Sequence, residues 1–394
     1  MMIASTAGLL SQRNALAYKR AMVDDATARG KRSKPAGDGG AAPLRRGWTT
    51  GACATAATKA ALTALVTGNF PDPVTIRLPK GEEPAFPLAV ETLADGVASA
   101  GIVKDAGDDP DVTHGATVIA SVRFLHQGVG IVFRAGSGVG MVTKAGLPVP
   151  VGEAAINPVP RAMMRAEIEA ICTEHGRSPD VEVTISIPGG EALAEKTWNP
   201  RLGIVGGLSI LGTTGIVHPF SCSAWIHSIH RGVDVARAEG LTHVIAATGS
   251  TSEAAAQAIY GLSEIALIDM GDFAGGLLKY LRVHPIERLT IAGGFAKLTK
   301  LAQGALDLHS ARSQVDMAFL ADLAETVDAE LRERILNANT ALEVLETTRL
   351  SGIDLAPLIA ARALETAIAT LRGAAVNVEI IVTDRRGDIL ARSA

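Results

Sequence analysis

Apolar positions along the chain fall into two rhythms, and the change between them divides the sequence. Short β-branched runs between turn residues occupy 74–78, 86–92, 97–103, 116–124 and 129–133. Runs of this kind predict strands of an antiparallel or mixed sheet. Ahead of them the Ala-rich stretch 54–66 predicts a helix, with Thr49 or Thr50 as its cap and Gly68 as its stop. Asn157-Pro158 opens a second helix over 160–175, because proline is tolerated in a first turn, and 181–187 adds a strand. At about Leu193 the pattern changes. Apolar runs at 203–205, 243–247, 265–268 and 289–291 each end in a glycine-bearing turn, and the last three lead into helical patterns. Strand, glycine turn and helix in repetition predict a parallel sheet whose ligands sit at the carboxyl ends of its strands. Residues 330–370 read as helical, and 376–390, with the turn 384–387, as a closing hairpin.

The expected fold is therefore an α+β domain over 47–192, a mixed sheet with helices, followed by an α/β domain over 193–394 with a mainly parallel, Rossmann-like sheet. Residues 1–46 are polar and lack an apolar signal core. They are expected to form a disordered arm, with a targeting segment as the alternative.

Composition narrows the class. The 394 residues suffice for about two domains, and 47% hydrophobic against 20% charged allows large cores. Aromatics are only 4% while glycines number 41, a balance suited to cofactor-binding α/β enzymes. Net charge is -4 with no basic stripe, so nucleic acid is not an expected partner. Cys53, Cys172 and Cys222 are odd in number and far apart, which fits a reducing cytoplasm and buried small residues rather than disulfides. Residues 202–230 carry no Asp, Glu, Lys or Arg, yet glycines and Pro219 interrupt them, so no membrane span is expected.

The densest chemistry lies in 104–115, Lys-Asp-Ala-Gly-Asp-Asp-Pro-Asp-Val-Thr-His-Gly. Gly, Pro and Asp make this a loop. Asp105, Asp108, Asp109 and Asp111 repel one another, so the loop needs a cation, a hydrogen-bond net or a polar ligand. The calcium-loop spacing is missing, and His114 stands without the Cys or His company of a zinc site. A solvated acidic connection and a polar organic ligand, met partly by Lys104, both remain open.

Further anion-binding candidates follow. Thr49 and Thr50 beside Gly51 either cap the first helix or open its amides to a ligand. Gly138 and Gly140 lie in a glycine-rich run, and Thr143, Lys144, Asn157 and Arg161 sit in the rigid Gly/Pro loops after it. Gly206, Gly207, Ser209, Gly212, Thr213 and Thr214 form the richest loop of the second half. It lacks the G-K-S/T ending of a triphosphate loop. Gly249 lies in a strand-end turn, and Asp269 and Asp272, at another, either hold ribose hydroxyls or, for Asp272, cap a helix.

Together the segments 47–57, 103–115, 138–161, 201–221, 271–277 and 293–310 resemble the CbiD family, the cobalt-precorrin-5B C1-methyltransferases of corrin synthesis. V-K-D-A-G-D-D-P-D-V-T-H-G and V-P-V-G-E-x-A-I-N-P-V-P-R carry the resemblance. Trp48 and Ala145 stand where the family typically has tyrosine and proline, and the arm before Gly47 falls outside the match. The resemblance implies methylation of C1 of a ring-contracted tetrapyrrole by S-adenosylmethionine, with cobalt carried only inside the substrate and no metal held by the protein. Lys104, Lys144 and Arg161, with the Gly138 and Gly140 amides, would then meet substrate carboxylates, alongside Thr49, Thr50, Asp108, Asp109, Thr143 and Asn157. The Gly206 to Thr214 loop, Gly249, Asp269 and Asp272 would hold the donor, and Asp105, Asp111 or His114 would take a proton from the ring. A non-catalytic tetrapyrrole carrier and a metal-dependent phosphoryl-transfer enzyme are the rival readings, and the oligomeric state is left open.

Overall fold

A computed structural model describes residues 43–324 and 328–394. The expected arm lies outside the described residues except for 43–46, of which Arg45 and Arg46 lie against the acidic loop. The described chain forms two compact units that meet in sequence at Ser221 and Cys222. That boundary falls later than the change of rhythm at Leu193, because 204–217 pairs back into the first unit. Ile204–Val205 runs antiparallel to Met141–Val142, Gly207–Leu208 parallel to Gly138–Val139, and Ile216–Val217 antiparallel to Gly47–Trp48.

The first unit holds a mixed five-stranded sheet in the order Val90–Ala94, Val97–Val103, Thr117–Phe124, Val181–Ser186, Ile131–Ala135. Neighbours are antiparallel except the last pair, which is parallel. Alternate residues Ala98, Ala100, Ile102, Val118, Ala120, Val122, Val181, Val183 and Ile185 line one buried face. The helix Thr50–Thr67 packs on that sheet and against the helix Pro158–Glu174. Its buried alanines let backbones approach closely, and alanine loses no side-chain entropy in doing so. The expected strand 86–92 is broken into Ala85–Phe86 and Val90–Ala94. Pro87 lies between them and has no N–H to give a ladder.

The second unit has a sheet in the order Leu267–Asp269, His243–Ala247, Arg288–Gly294, Asn377–Thr383, Ile389–Ser393. The first four strands are parallel and the last is antiparallel. Residues 330–370 resolve into three helices, Ala329–Leu336, Ala341–Leu350 and Leu355–Leu371. Asp328, Thr340 and Asp354 cap them by accepting from the amides of Leu331, Glu343 and Ala356. The helix Cys222–Ala238 was not expected. Its buried positions, Ile229, Val233 and Ala236, recur at helical spacing, but the glycine-rich run before them masks the period. No helix among the described residues is long and apolar enough to cross a membrane.

Candidate functional site on the acidic loop

The loop after the strand Val97–Val103 turns back at once. Lys104 bonds Ala116 through its amide and Gly115 through its carbonyl, so the acidic stretch projects from a closed neck. Lys104 is buried, and its ammonium reaches Asp111 Oδ2 at 2.6 Å. Asp111 Oδ1 accepts from both the amide and the hydroxyl of Thr113, at 2.8 and 2.6 Å. Burial pushes the Asp111 carboxyl up, but the Lys104 charge and these bonds outweigh it and hold the group below its ordinary value.

Asp105 is held differently. Arg45 grips both carboxylate oxygens, and the Gly107 amide donates to Oδ1 at 2.9 Å. The Arg45 bond, then the Gly107 amide, take this carboxyl down to about 2. Asp108 accepts from the Arg45 amide at 2.6 Å and donates its own amide back to the Arg45 carbonyl at 3.0 Å. Asp109 accepts from the Phe220 amide at 2.8 Å, and burial raises its pKa. His114 is exposed, and its Nδ1 accepts the Ala106 amide proton at 3.1 Å. The neutral ring therefore carries its proton on Nε2. Each carboxylate thus has its own partner, and the mutual repulsion is met by a hydrogen-bond net. Among the described residues no group of three or more His, Cys, Asp or Glu side chains is arranged to hold a metal ion.

The other candidate loops revise the expectations. Thr49 caps the first helix by accepting from Ala52 at 3.2 Å, while Thr50 accepts from the Leu211 amide at 3.0 Å and Gly51 donates to the Leu211 carbonyl at 2.9 Å. With these amides engaged, the helix N-terminus anchors 209–211 instead of receiving an anion. Gly138 donates to Glu191 Oε1 at 2.6 Å and Gly140 to the Leu208 carbonyl at 2.9 Å, so neither amide is left for a substrate carboxylate. A Cβ on Gly138 would lie 1.9 Å from the Ile187 carbonyl, and one on Gly207 would lie 2.3 Å from Gly138. Glycine serves here for the approach of one backbone to another.

Arg161 is spent in the same way. It donates to the carbonyls of Ile156 and Ala154 at 2.7 and 3.0 Å and pairs with Glu153 at 2.6 Å, bracing 153–156. Asn157 makes no side-chain cap, and Thr143 donates to the Gly203 carbonyl at 2.7 Å. Lys104, expected against substrate, is committed to Asp111.

The loop from Gly206 to Thr214 belongs to the first unit, not to the one expected to hold the donor. Ser209 bonds Asn199 at 3.3 Å, Thr214 bonds its own turn at Ile216, and a Cβ on Gly212 would meet Thr49 at 2.4 Å. Gly249, Asp269 and Asp272 lie in the second unit at the carboxyl ends of the parallel strands. There the Lys297 ammonium pairs with Asp272 at 2.6 Å and approaches the Thr248 carbonyl at 3.5 Å. Burial pushes the Cys53 thiol up to about 12, which suits packing rather than nucleophilic chemistry.

Sequence reasoning missed Arg45, Thr113 and Lys297. The Arg45-Arg46 pair abutting Gly47 is the signal for the first, and Lys297 lies four residues after Gly293 in the first turn of a helix.

Comparison with known proteins bears on both units. The family model described as CbiD matches residues 38–219, nine residues earlier than the resemblance reached, and the model for the CbiD C-terminal domain matches 307–394. A cobalt-precorrin-5B C(1)-methyltransferase of Brucella canis is 70% identical over 353 residues, 89% of this chain and 96% of its own. Those of Brucella anthropi and Brucella ovis are 70% and 69% identical over the same shares. A solved cobalamin biosynthesis protein (cbiD) from Archaeoglobus fulgidus is 28% identical, covering 68% of this chain and 83% of that one with a TM-score of 0.37. With both units matched and identity this high along the chain, the protein belongs to the CbiD family.

Proposed function

We propose that the protein methylates C1 of cobalt-precorrin-5B with S-adenosylmethionine, giving cobalt-precorrin-6A in corrin ring synthesis in the cytoplasm. The observation that carries this reading is 70% identity over 89% of the chain to a relative named for that reaction, an overlap too long to omit either unit. The donor supplies a methyl group on a sulfonium. The chain's task is to align ring carbon, methyl and sulfur and to exclude water, as the charge disperses in the transition state.

Within the acidic loop, His114 is our assignment for the proton acceptor. Both Asp111 oxygens are committed to Lys104 and Thr113, and Arg45 holds Asp105 at about 2, too acidic to accept a proton well. Imidazole is the side chain suited to proton transfer near neutral pH, and the Ala106 amide at Nδ1 fixes the ring. For a His114 base the lone pair sits on Nδ1 against the Ala106 amide, so the ring must either release that amide or take the other tautomer, Nδ1 gaining a proton from solvent as Nε2 loses its own.

For the donor we assign the end of the second unit's sheet where His243–Ala247 and Arg288–Gly294 lie side by side. Chain order along this sheet reverses there, and open parallel sheets of the Rossmann-like kind bind ligands at such a point, beyond the strand carboxyl ends. The helices Ser250–Tyr260 and Phe295–Ala302 both begin there after Gly249 and Gly294. A Cβ on Gly294 would meet nothing within 4 Å, so its backbone is open to a close ligand. Asp269 and Asp272, at the neighbouring strand end, are assigned to the donor's hydroxyls.

The test is anaerobic incubation with cobalt-precorrin-5B and methyl-labelled S-adenosylmethionine, following label and mass in the corrinoid. One labelled methyl at C1 is expected, and His114→Gln should lower turnover by about 10²-fold or more. Corrinoid binding without label transfer would overturn the reading in favour of a carrier.

A further inference from the structure

The segment 45–48 lies across the acidic loop through contacts built from both sides. Arg45 exchanges two backbone-anchored bonds with Asp108, and the Trp48 amide donates to the Asp105 carbonyl at 2.7 Å. A Cβ on Gly107 would lie 2.2 Å from the Arg45 carbonyl, and one on Gly47 would lie 2.0 Å from Ala106. Glycine is thus required on each strand of the contact, and Gly107 also has a φ of +69°. The segment is held in place without the Arg45 side chain, yet that side chain reaches Asp105.

Its position next to His114 gives the contact a chemical consequence. Asp105 Oδ1 accepts from Arg45 Nη2 at 3.0 Å and lies 3.8 Å from His114 Nδ1. Protonating Nδ1 would break its bond from the Ala106 amide, and Asp105 is the nearest carboxylate to compensate. The other charged groups of the ring's loop are already paired: Asp111 with Lys104, Asp108 with the Arg45 amide and Asp109 with the Phe220 amide.

We infer that Arg45 is a positioning residue for the reaction: by holding Asp105 in a two-point grip, it withholds that carboxylate from His114, whose Nδ1 stays on the Ala106 amide. This rests on His114 as proton acceptor for its effect on turnover, but not for its effect on the ring itself. The pair is exposed on both sides, 58% for Arg45 and 43% for Asp105, so it contributes little to stability. Losing it should therefore change the chemistry of the ring more than the fold.

The experiment uses the full chain. NMR titration of the His114 ring, identified by its absence in His114→Gln, is compared between wild type and Arg45→Gln without substrate. The midpoint is expected to move to higher pH by about one unit, as for a histidine gaining a carboxylate partner. Arg45→Lys should show only part of the shift, because a cation still holds Asp105, and Arg45→Gln with Asp105→Asn should abolish it, because the contested carboxylate is then gone. The acidic limb of the kcat profile should move with the ring, while KM changes less. An unshifted ring in a folded Arg45→Gln protein overturns the inference, as does a shift that survives Asp105→Asn. A shifted ring with an unshifted kcat profile upholds the hold of Arg45 on the ring's surroundings and overturns both His114 as the proton acceptor and any part for Arg45 in turnover.

Discussion

Lys104→Met tests whether the buried cation holds the acidic loop. The side chain is 1% exposed and its ammonium lies 2.6 Å from Asp111, which is 25% exposed. Methionine keeps most of the stem's packing and removes the charge. Breaking a buried pair by deleting one partner costs about 3–5 kcal/mol. Asp111 retains its two Thr113 bonds and some water, so the expected loss at pH 7 is about 2–4 kcal/mol. The pH dependence has a definite sign. Asp111 is depressed in the fold, so its contribution is present above the unfolded value, near 3.9, and disappears as pH falls through the lower folded value. Without Lys104 the burial that opposes ionisation is unopposed by charge, so protonation relieves the variant at a higher pH than the wild type. The gap between the two should then narrow below about pH 5. Urea unfolding over a pH series, read by Trp48 and Trp198 in a Trp225→Phe background, reports the first unit alone. A loss under about 1 kcal/mol at pH 7, or one constant down to about pH 4, would refute the reasoning. The double variant with Asp111→Asn should recover more than half of the loss, since no uncompensated charge remains.

Other outcomes follow from the same geometry. Gly138→Ala places a Cβ 1.9 Å from the Ile187 carbonyl at a φ of +72°, and should cost about 3 kcal/mol or more in thermal or chemical unfolding. Gly294→Ala meets nothing within 4 Å, so it should leave unfolding unchanged and weaken donor binding in calorimetry; unchanged affinity would remove Gly294 from the donor site. Glu379, 5% exposed and held at about 2, accepts from Tyr260, Thr290, Arg288 and Arg392, and burial is outweighed by those bonds. Glu379→Gln should destabilise the second unit by about 1–3 kcal/mol, discounted because both arginines are half-exposed. Its sign matches that of Asp111: the contribution holds above the unfolded value near 4.3 and is lost as pH falls toward about 2, so unfolding curves of the two proteins should converge in acid.

The sequence by itself determined those elements whose signals are local. Thr49 and Gly68 bound the first helix, Val97–Val103 and His243–Ala247 form where β-branched runs stand between turn residues, and the crowding of Asp105, Asp108, Asp109 and Asp111 marks a loop that needs partners. The motif V-K-D-A-G-D-D-P-D-V-T-H-G was enough to indicate the family. What tertiary structure alone decided is which partner each polar group takes. Gly138, Gly140, Thr50 and Arg161 look ligand-facing in sequence, because small or charged residues in rigid loops offer donors. For the two glycines and Thr50, whether they meet a ligand or another part of the chain depends on segments about 50 to 160 residues away, such as Glu191 for Gly138 and Leu211 for Thr50, whereas Arg161 turns back on 153–156. The same holds for 204–217, whose short strands pair only with the first unit, and for Arg45, which sequence assigns to an arm and the fold brings onto Asp105. Local patterns fix backbone conformation through sterics and solvation of neighbouring residues. Hydrogen-bond partners across the chain are fixed only when packing brings distant segments together, and no period or spacing in the sequence encodes that distance.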